Sequence, residues 1–382
     1  MKIPVRMRVS HRMLGTALGC CLFALPLQLI CAPINYVQTN LTSDLPGVAQ
    51  NLDPNLVNPW GMAFSPTSPI WISDNHTGLS TLYNGAGKPV PLGSPLVVTI
   101  PPPNGGTPPA SPTGIVFTNT GFGGSHFIFA TEDGTISAWS SGTSAALEVD
   151  NSANAVYKGL ARVGTTLYAT NFSAGTIDVF DTNFAPITVS GGFSDPNIPA
   201  GFAPFDIENI GGMLYVSYAK QDAAKHDDLA GAGNGFVDIY DASGVLQKRL
   251  ISNGPLNSPW GMALAPAGFG SFGNDLLVGN FGDGSINAFD LNGNFLGALK
   301  DSHGNPIDIP GLWGLAFGNG ASGTSSEALY FTAGIPGPGS VEDHGLFGDI
   351  QATPEPASVW ACAGLFLLLV AAVQFRARRA NS

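Results

Sequence analysis

The sequence predicts an all-β protein, a six-bladed β-propeller closed by an N-terminal strand. Short runs of β-forming residues end repeatedly in Gly, Asn or Asp, which is typical of antiparallel strands joined by tight turns. These runs recur as a unit of roughly 45 to 55 residues, the length of a propeller blade. Charged residues make up 11% of the chain, against about 25% in an ordinary soluble protein, as suits a turn-rich β fold.

Three landmarks define each unit, and the most complete copy lies at 257–289. The first is an apolar run opened by a small residue, and the second is an apolar run that ends in one. The third begins at Gly, alternates, and ends in an aromatic residue. The six first runs begin at Trp60, Thr113, Lys158, Phe205, Trp260 and Trp313. Because these first runs carry the least charge, we expect them to be innermost, lining the channel.

Ring closure is predicted from the incomplete sixth unit. Its third strand lies at 345–350, and no fourth strand follows. The unassigned β-like stretch 34–41 lies at the other end, and we expect it to complete the last blade and latch the ring. The four cysteines, Cys20, Cys21, Cys31 and Cys362, all lie in the terminal segments. Closure must therefore rest on packing and strand pairing, without disulfides.

The sequence predicts targeting segments at both termini, on either side of a propeller domain at 33–351. Residues 1–32 contain a basic stretch and a long apolar run, which predicts a secretory signal peptide, with an uncleaved anchor as the alternative. The last segment, 352–382, contains Pro354, Glu355 and Pro356 near its start. The uncharged stretch 357–375 follows, long enough to cross a membrane as a helix. Clustered arginines then hold that end in the cytoplasm; they are Arg376, Arg378 and Arg379.

This three-part tail resembles the PEP-CTERM sorting signal. The resemblance implies export, recognition by an exosortase-type sorting protease, and delivery to the cell surface or the extracellular polymer. Membrane contact would be through the C-terminal helix before processing. An ordinary C-terminal anchor is the alternative, and it too places the propeller outside the cell.

The body of the chain resembles NHL-like six-bladed propellers. It is more closely similar to an uncharacterised conserved family of exported proteins. The strings that carry this second resemblance lie at 218–222, 259–263, 278–284, 311–315 and 346–348. The resemblance implies the fold and the location, and it implies no activity, because one fold hosts many functions.

Charge and motifs exclude several classes of function. Between residues 33 and 353, twenty-six acidic residues face eight basic ones, without a basic stripe. Nucleic acid is therefore excluded as a partner. The sequence has no G-x-S-x-G, H-E-x-x-H, Walker or C-x-x-C motif, and no catalytic residue is assigned.

Polar residues just after the second runs form a candidate binding set, because six copies would converge on one channel mouth. The set comprises Asp74, Asn75, Glu132, Asp133, Asn171, Asn280 and Asp283, with Tyr218 and Thr332 in equivalent places. The sequence requires no cofactor. Oxygen ligands ringed in this way could hold Ca²⁺, as in six-bladed lactonases. The alternative is that these side chains only accept hydrogen bonds from turn amides.

An insertion in the fourth unit, 219–234, is the one dense charge cluster of the domain and our candidate recognition loop. Its charged members are Lys220, Asp222, His226, Asp227 and Asp228, beside Lys225. A solvated excursion is the alternative interpretation. Trp60, Trp260 and Trp313 could stack on a sugar at the axis, although packing between blades explains them more simply.

These observations lead to two hypotheses. The first is an exported, non-catalytic binding or scaffold propeller at the cell surface or in the extracellular matrix, with a polysaccharide or protein ligand. The alternative is a Ca²⁺-dependent hydrolase or lactonase with its site at the channel mouth.

Overall fold

The structure is a computed structural model that describes residues 35–353. The predicted signal peptide, the Pro-Glu-Pro motif and the predicted membrane helix lie outside the described residues. Within 35–353 no helix is long and apolar enough to cross a membrane. The described chain is built from β-strands and two short 3₁₀ turns, Phe122–Gly124 and Gly270–Phe272.

The strands follow one another in the order expected of a propeller. Before the first blade come β1 (Asn35–Ser43) and β2 (Asn51–Leu52). The first three blades contain β3 (Pro59–Ala63), β4 (Ile70–Asp74), β5 (Leu79–Tyr83), β6 (Val97–Thr99), β7 (Pro112–Phe117), β8 (Phe127–Thr131), β9 (Thr135–Trp139), β10 (Ala146–Asp150), β11 (Tyr157–Val163), β12 (Thr166–Asn171) and β13 (Thr176–Phe180). The last three contain β14 (Phe202–Ile210), β15 (Met213–Lys220), β16 (Phe236–Tyr240), β17 (Leu246–Ser252), β18 (Pro259–Leu264), β19 (Leu276–Asn280), β20 (Ile286–Phe289), β21 (Phe295–Ala298), β22 (Leu312–Phe317), β23 (Ala328–Ile335) and β24 (His344–Thr353).

Six sheets result, one from each predicted unit, and all their strand pairs are antiparallel except β1 with β2, so the predicted propeller fold is confirmed. The first strand of every blade contacts the first strand of its neighbours, and the contacts close from β22 back to β3. The first runs are therefore innermost, as their low charge indicates. The third blade has three described strands, which agrees with the more variable fourth position in the repeat.

In four blades the turn after the third strand has the same hydrogen-bond pattern, made by Asn84, Asp181, Asp241 and Asp290. Asp241 Oδ1 accepts from the backbone N–H groups of Ser243 and Val245 at 2.9 and 3.1 Å. Asp290 accepts the same pair of bonds from the backbone N–H groups of Asn292 and Asn294, so a hairpin turn forms there. A side-chain oxygen that satisfies two turn amides explains why Asn or Asp follows the aromatic residue.

Closure of the ring uses the N-terminal strand. β1 pairs antiparallel with β24 from Asn35 opposite Thr353 to Ser43 opposite Leu346. The last sheet thus has the order β2-β1-β24-β23-β22, and its outer strands come from the start of the described chain. Tyr36 is buried against the fifth blade, where its hydroxyl donates to the carbonyl oxygen of Phe269 at 3.2 Å.

Candidate functional site

Every inner strand carries a β-bulge near its first residue. The pairing of β3 with β4 jumps from Pro59 to Met62, and the other five inner strands jump at the equivalent place. Two residues per blade are thus left out of the ladder at the channel entrance, where a bulge re-aims side chains. We call this entrance the mouth and the ring of second bulge residues the neck.

The first bulge residues of the six blades meet at the mouth. They are Trp60, Thr113, Lys158, Phe205, Trp260 and Trp313. The rings of Trp60 and Trp313 stack with centroids 3.5 Å apart, and Trp260 meets both edge-on at 5.8 Å. All three tryptophans are buried in one cluster. Their aromatic faces are used in packing between blades, so a sugar would find no free tryptophan face at the axis.

Lys158 is the charged member of this layer, with only 2% of its side chain exposed. Its ammonium contacts the Glu132 carboxylate and lies 3.3 Å from Oδ1 of Asp227. It also lies 5.2 Å from the ring centroid of Trp60, a favourable cation–π distance. Burial lowers the pKa of Lys158, but the charge and hydrogen bond of Glu132 outweigh this, and the pKa is raised. The ammonium therefore stays charged.

A hydrogen-bond chain continues from Glu132 around the mouth. The amide of Asn75 donates to Glu132 Oε2 at 2.8 Å. The amide of Asn58 donates to Glu342 Oε1 at 3.0 Å, and the indole N–H of Trp313 donates to Asn58 Oδ1 at 3.2 Å. Burial and, to a smaller extent, the nearby charge of Glu132 raise the pKa of Glu342 to about 7. The mouth therefore couples side chains of the first, second and sixth blades.

The predicted recognition loop folds back over this mouth. The backbone N–H of Asp222 donates to the Asp227 carbonyl at 2.8 Å, and Asp222 Oδ1 accepts from the N–H of His226 at 2.9 Å. The His226 ring, 48% exposed, lies 2.8 Å from Oδ1 of Asp227, itself 66% exposed. Lys158 lowers the pKa of Asp227 despite partial burial. Lys220 is the exposed last residue of β15, and burial raises the pKa of Asp228.

Glu132, His226 and Asp227 are close enough to share a metal ion. One ligand atom from each lies within 4.8 Å of the others. The Lys158 ammonium, however, already contacts both carboxylates. A metal ion there would have to displace or repel this buried cation.

The other members of the predicted binding set are spread over separate blades. Asp133 Oδ2 accepts from the N–H of Ser111 at 2.7 Å, and burial raises the pKa of Asp133. Asp74 accepts from Thr81 at 2.8 Å, Asn171 donates to Asp178 at 3.1 Å, and Asn280 donates to Asp283 Oδ1 at 3.3 Å. These partners lie within each side chain's own blade. The structure thus joins members of the set across blades at Asn75 and Glu132, and within one blade at Asn280 and Asp283.

Sequence reasoning missed Lys158, Asn58 and Glu342 as parts of the mouth. Lys158 was visible as the one cation in a column of aligned positions that otherwise holds aromatic residues and a threonine. Asn58 and Glu342 lie outside the repeat landmarks and offered no comparable signal.

The fold and this mouth define a class, the six-bladed β-propellers. The chain is 34% identical over 322 residues to uncharacterized protein R648 of Acanthamoeba polyphaga mimivirus, covering 79% of this chain and 76% of that protein. It is 33% identical over 324 residues to uncharacterized protein L690 of the same virus, covering 78% and 81%. The chain belongs to the family of these two proteins. No family model matches.

One solved structure with a TM-score above 0.5 agrees with the fold. A protein of unknown function from Bacteroides thetaiotaomicron matches with a TM-score of 0.51 at 9% identity, covering 83% of this chain and 77% of that one. A streptogramin B lyase matches with a TM-score of 0.42 at 11% identity, covering 84% and 98%. At such identities the likeness concerns the fold alone.

Proposed function

We propose that the protein is an exported, non-catalytic binding or scaffold propeller that holds its ligand at the mouth, under the recognition loop. The observation that carries this proposal is the buried ion pair of Lys158 with Glu132 and Asp227. A calcium-dependent hydrolase needs several oxygen ligands free to converge on one ion. Here the lysine ammonium occupies the point on which the carboxylates converge.

The chemistry of the mouth favours a neutral or cationic ligand with hydroxyl or amino groups. The carboxylates of Glu132, Asp227 and Glu342 all act on the buried ammonium of Lys158. The exposed carboxylate of Asp227 and the ring of His226 offer hydrogen-bonding groups at the rim. Hydroxyl groups of a polysaccharide, or lysine side chains of a protein, would donate to these acceptors, whereas phosphates would be repelled.

Export and surface attachment rest on the two terminal segments. The basic and apolar residues of 1–32 support secretion, and the Pro354-Glu355-Pro356 motif with 357–375 supports recognition by an exosortase-type protease. The geometry of the domain suits such tethering, because Asn35 pairs with Thr353 and both ends leave the propeller at the same blade. A fractionation of cells that carry an exosortase tests this. We expect surface exposure of the wild-type chain and retention in the membrane of an E355A variant.

The binding hypothesis is tested with matched acidic substitutions on the two faces of the disc. We expect D227N to weaken retention of the full chain on extracellular polysaccharide at least several-fold. D290N is the control, because Asn serves the same turn in the first blade, where Asn84 accepts from two backbone amides. Equal loss for both variants, or for neither, would contradict a ligand at the mouth.

One observation favours the alternative, a calcium-dependent hydrolase or lactonase. It is the closeness of Glu132, His226 and Asp227, whose ligand atoms lie within 4.8 Å of one another. Hydrolysis of a panel of lactones and aryl esters, with calcium and with EDTA, separates the two functions. Turnover that requires calcium and disappears in E132Q would establish the hydrolase and exclude a purely binding role.

A further inference from the structure

The channel below the mouth is lined by two rings of small residues, and the fourth blade breaks both rings. The second bulge residue is glycine in five blades and aspartate in the fourth; the six are Gly61, Gly114, Gly159, Asp206, Gly261 and Gly314. Two positions further along the inner strands lie Ala63, Val116, Ala161, Glu208, Ala263 and Ala316. Asp206 and Glu208 both line the cavity at the neck, so both carboxylates of β14 face the channel.

The glycines are required by the closeness of neighbouring strands at the neck. A Cβ atom on Gly61 would lie 2.6 Å from the carbonyl oxygen of Thr113, and one on Gly314 would lie 2.6 Å from that of Trp60. A Cβ on Gly159 would lie 2.4 Å from Oδ1 of Asp206. The neck therefore accommodates one large side chain, and that side chain is a carboxylate.

Asp206 is buried there without a compensating partner for its charge. The residue is 2% exposed, and its Oδ2 atom has no hydrogen-bond partner among the described residues. A buried carboxylate without a partner is costly unless it is protonated or binds a cation. Burial raises the pKa of Asp206, and burial together with the charge of Asp206 raises that of Glu208.

The space around Asp206 is small and continuous with a wider funnel. The neck encloses about 10 Å³, room for about one water-sized body. Glu208 lines both the neck and the funnel of about 560 Å³ on the face opposite the mouth. Arg162 also lines the funnel, where its Nε donates to the carbonyl oxygen of Phe117 at 3.1 Å.

We propose that the neck binds one calcium ion between the carboxylates of Asp206 and Glu208. Oxygen donors select a hard cation, and two carboxylates match a double positive charge. Calcium fits better than magnesium, because magnesium keeps several waters and the neck holds about one. Water from the open funnel completes the coordination beside Glu208. This site is separate from the mouth and requires no catalytic activity.

Calcium titration of the full chain, after removal of metal with EDTA, tests the proposal. We expect about one calcium per chain by equilibrium dialysis and a melting temperature about 5 °C higher at calcium concentrations a hundred times Kd. Binding should weaken as the pH falls, because protons compete for the carboxylates. D206N keeps the side-chain size and should lose at least nine-tenths of the bound calcium. The double variant D206G/E208A gives the fourth blade the residues of the other blades and should lose it as well.

The mouth variant E132Q is the control and should bind calcium at the neck as the wild type does. Loss of calcium in E132Q together with full binding in D206N would place the ion at the mouth and overturn the proposal. A wild-type chain that binds no calcium and melts at the same temperature with and without it would also overturn it. In that case the neck holds a water molecule or a shared proton.

Discussion

The ammonium of Lys158, on the innermost strand of the third blade, lies 3.3 Å from Oδ1 of Asp227 in a loop of the fourth blade, 69 residues later in the chain. The same ammonium contacts Glu132 of the second blade. One buried cation therefore joins three blades and fixes the recognition loop over the mouth. The proposed ligand surface and the stability of the ring thus depend on the same residue.

Removing the Lys158 ammonium should destabilise the propeller. K158M leaves Glu132 without its cation in a largely buried position, and we expect a loss of roughly 2 to 4 kcal/mol in the free energy of unfolding. The double variant K158M/E132Q should recover at least half of this loss, since position 132 no longer carries a charge that lacks its cation. Urea denaturation measures both values. The control K220M removes an exposed lysine and should change the free energy of unfolding by less than about 0.5 kcal/mol. A K158M loss no larger than that of K220M would show that the ion pair contributes little.

Glu342 should make stability depend on pH. Its pKa is about 7 in the folded protein, against 4.5 for the ordinary group, because of burial first. Between these two values the folded state keeps a proton that the unfolded state has released, so stability should fall as the pH rises through this window. The slope should be at most about 1.4 kcal/mol per pH unit.

The variant E342Q should flatten this slope, because its amide oxygen can still accept from Asn58 and does not titrate. Denaturation midpoints across the window measure the difference. An identical pH dependence in both proteins would mean that Glu342 keeps an ordinary pKa.

Replacing a glycine of the neck by alanine should destabilise the propeller. G61A would bring Cβ to 2.6 Å from the Thr113 carbonyl oxygen, which belongs to the backbone and cannot move aside. We expect a loss of about 1 to 3 kcal/mol in the free energy of unfolding, as for overpacked cores. G231A is the matched control, because its Cβ would meet only the flexible side chain of Asn234. Similar unfolding curves for the two variants would argue against the close approach of the inner strands.

Ring closure should depend on the N-terminal strand. Deleting 34–41 removes most of β1 and leaves β24 as an open edge, which favours aggregation. We expect the deletion variant to elute as aggregates in size-exclusion chromatography. V37T, at an exposed position of the same strand, should remain monomeric. A soluble, monomeric deletion variant as stable as the wild type would show that the latch is dispensable.

The fold was predictable from the sequence because the strand and turn patterns are local and recur in every blade. The composition of runs such as 260–264 and 276–279 predicts strands, and Asp290 is of a residue type that favours a turn. The latch was predictable by elimination, since the sixth unit lacked an outer strand and residues 34–41 lacked a blade.

The mouth was less predictable because its contacts join distant parts of the chain. The sequence indicated Asn75, Glu132 and Asp227. It predicted Lys158, the partner that Glu132 and Asp227 share, only as the start of a strand. Asp206 and Glu208 were likewise hidden within an inner run. When the blades are aligned, they are the charged residues at positions that hold small side chains in the other blades. That they lie close to the axis is evident only from the closed ring.

The most direct test of the central claim, that the cation of the mouth is Lys158, is a calorimetric titration of Ca²⁺ and Zn²⁺ into D206N, in which the neck site is removed. We expect no saturable binding of either ion, because Glu132 and Asp227 are already paired with the ammonium. Binding of one ion per chain to D206N, lost in the double variant D206N/E132Q, would contradict the claim and favour a metal centre at the mouth.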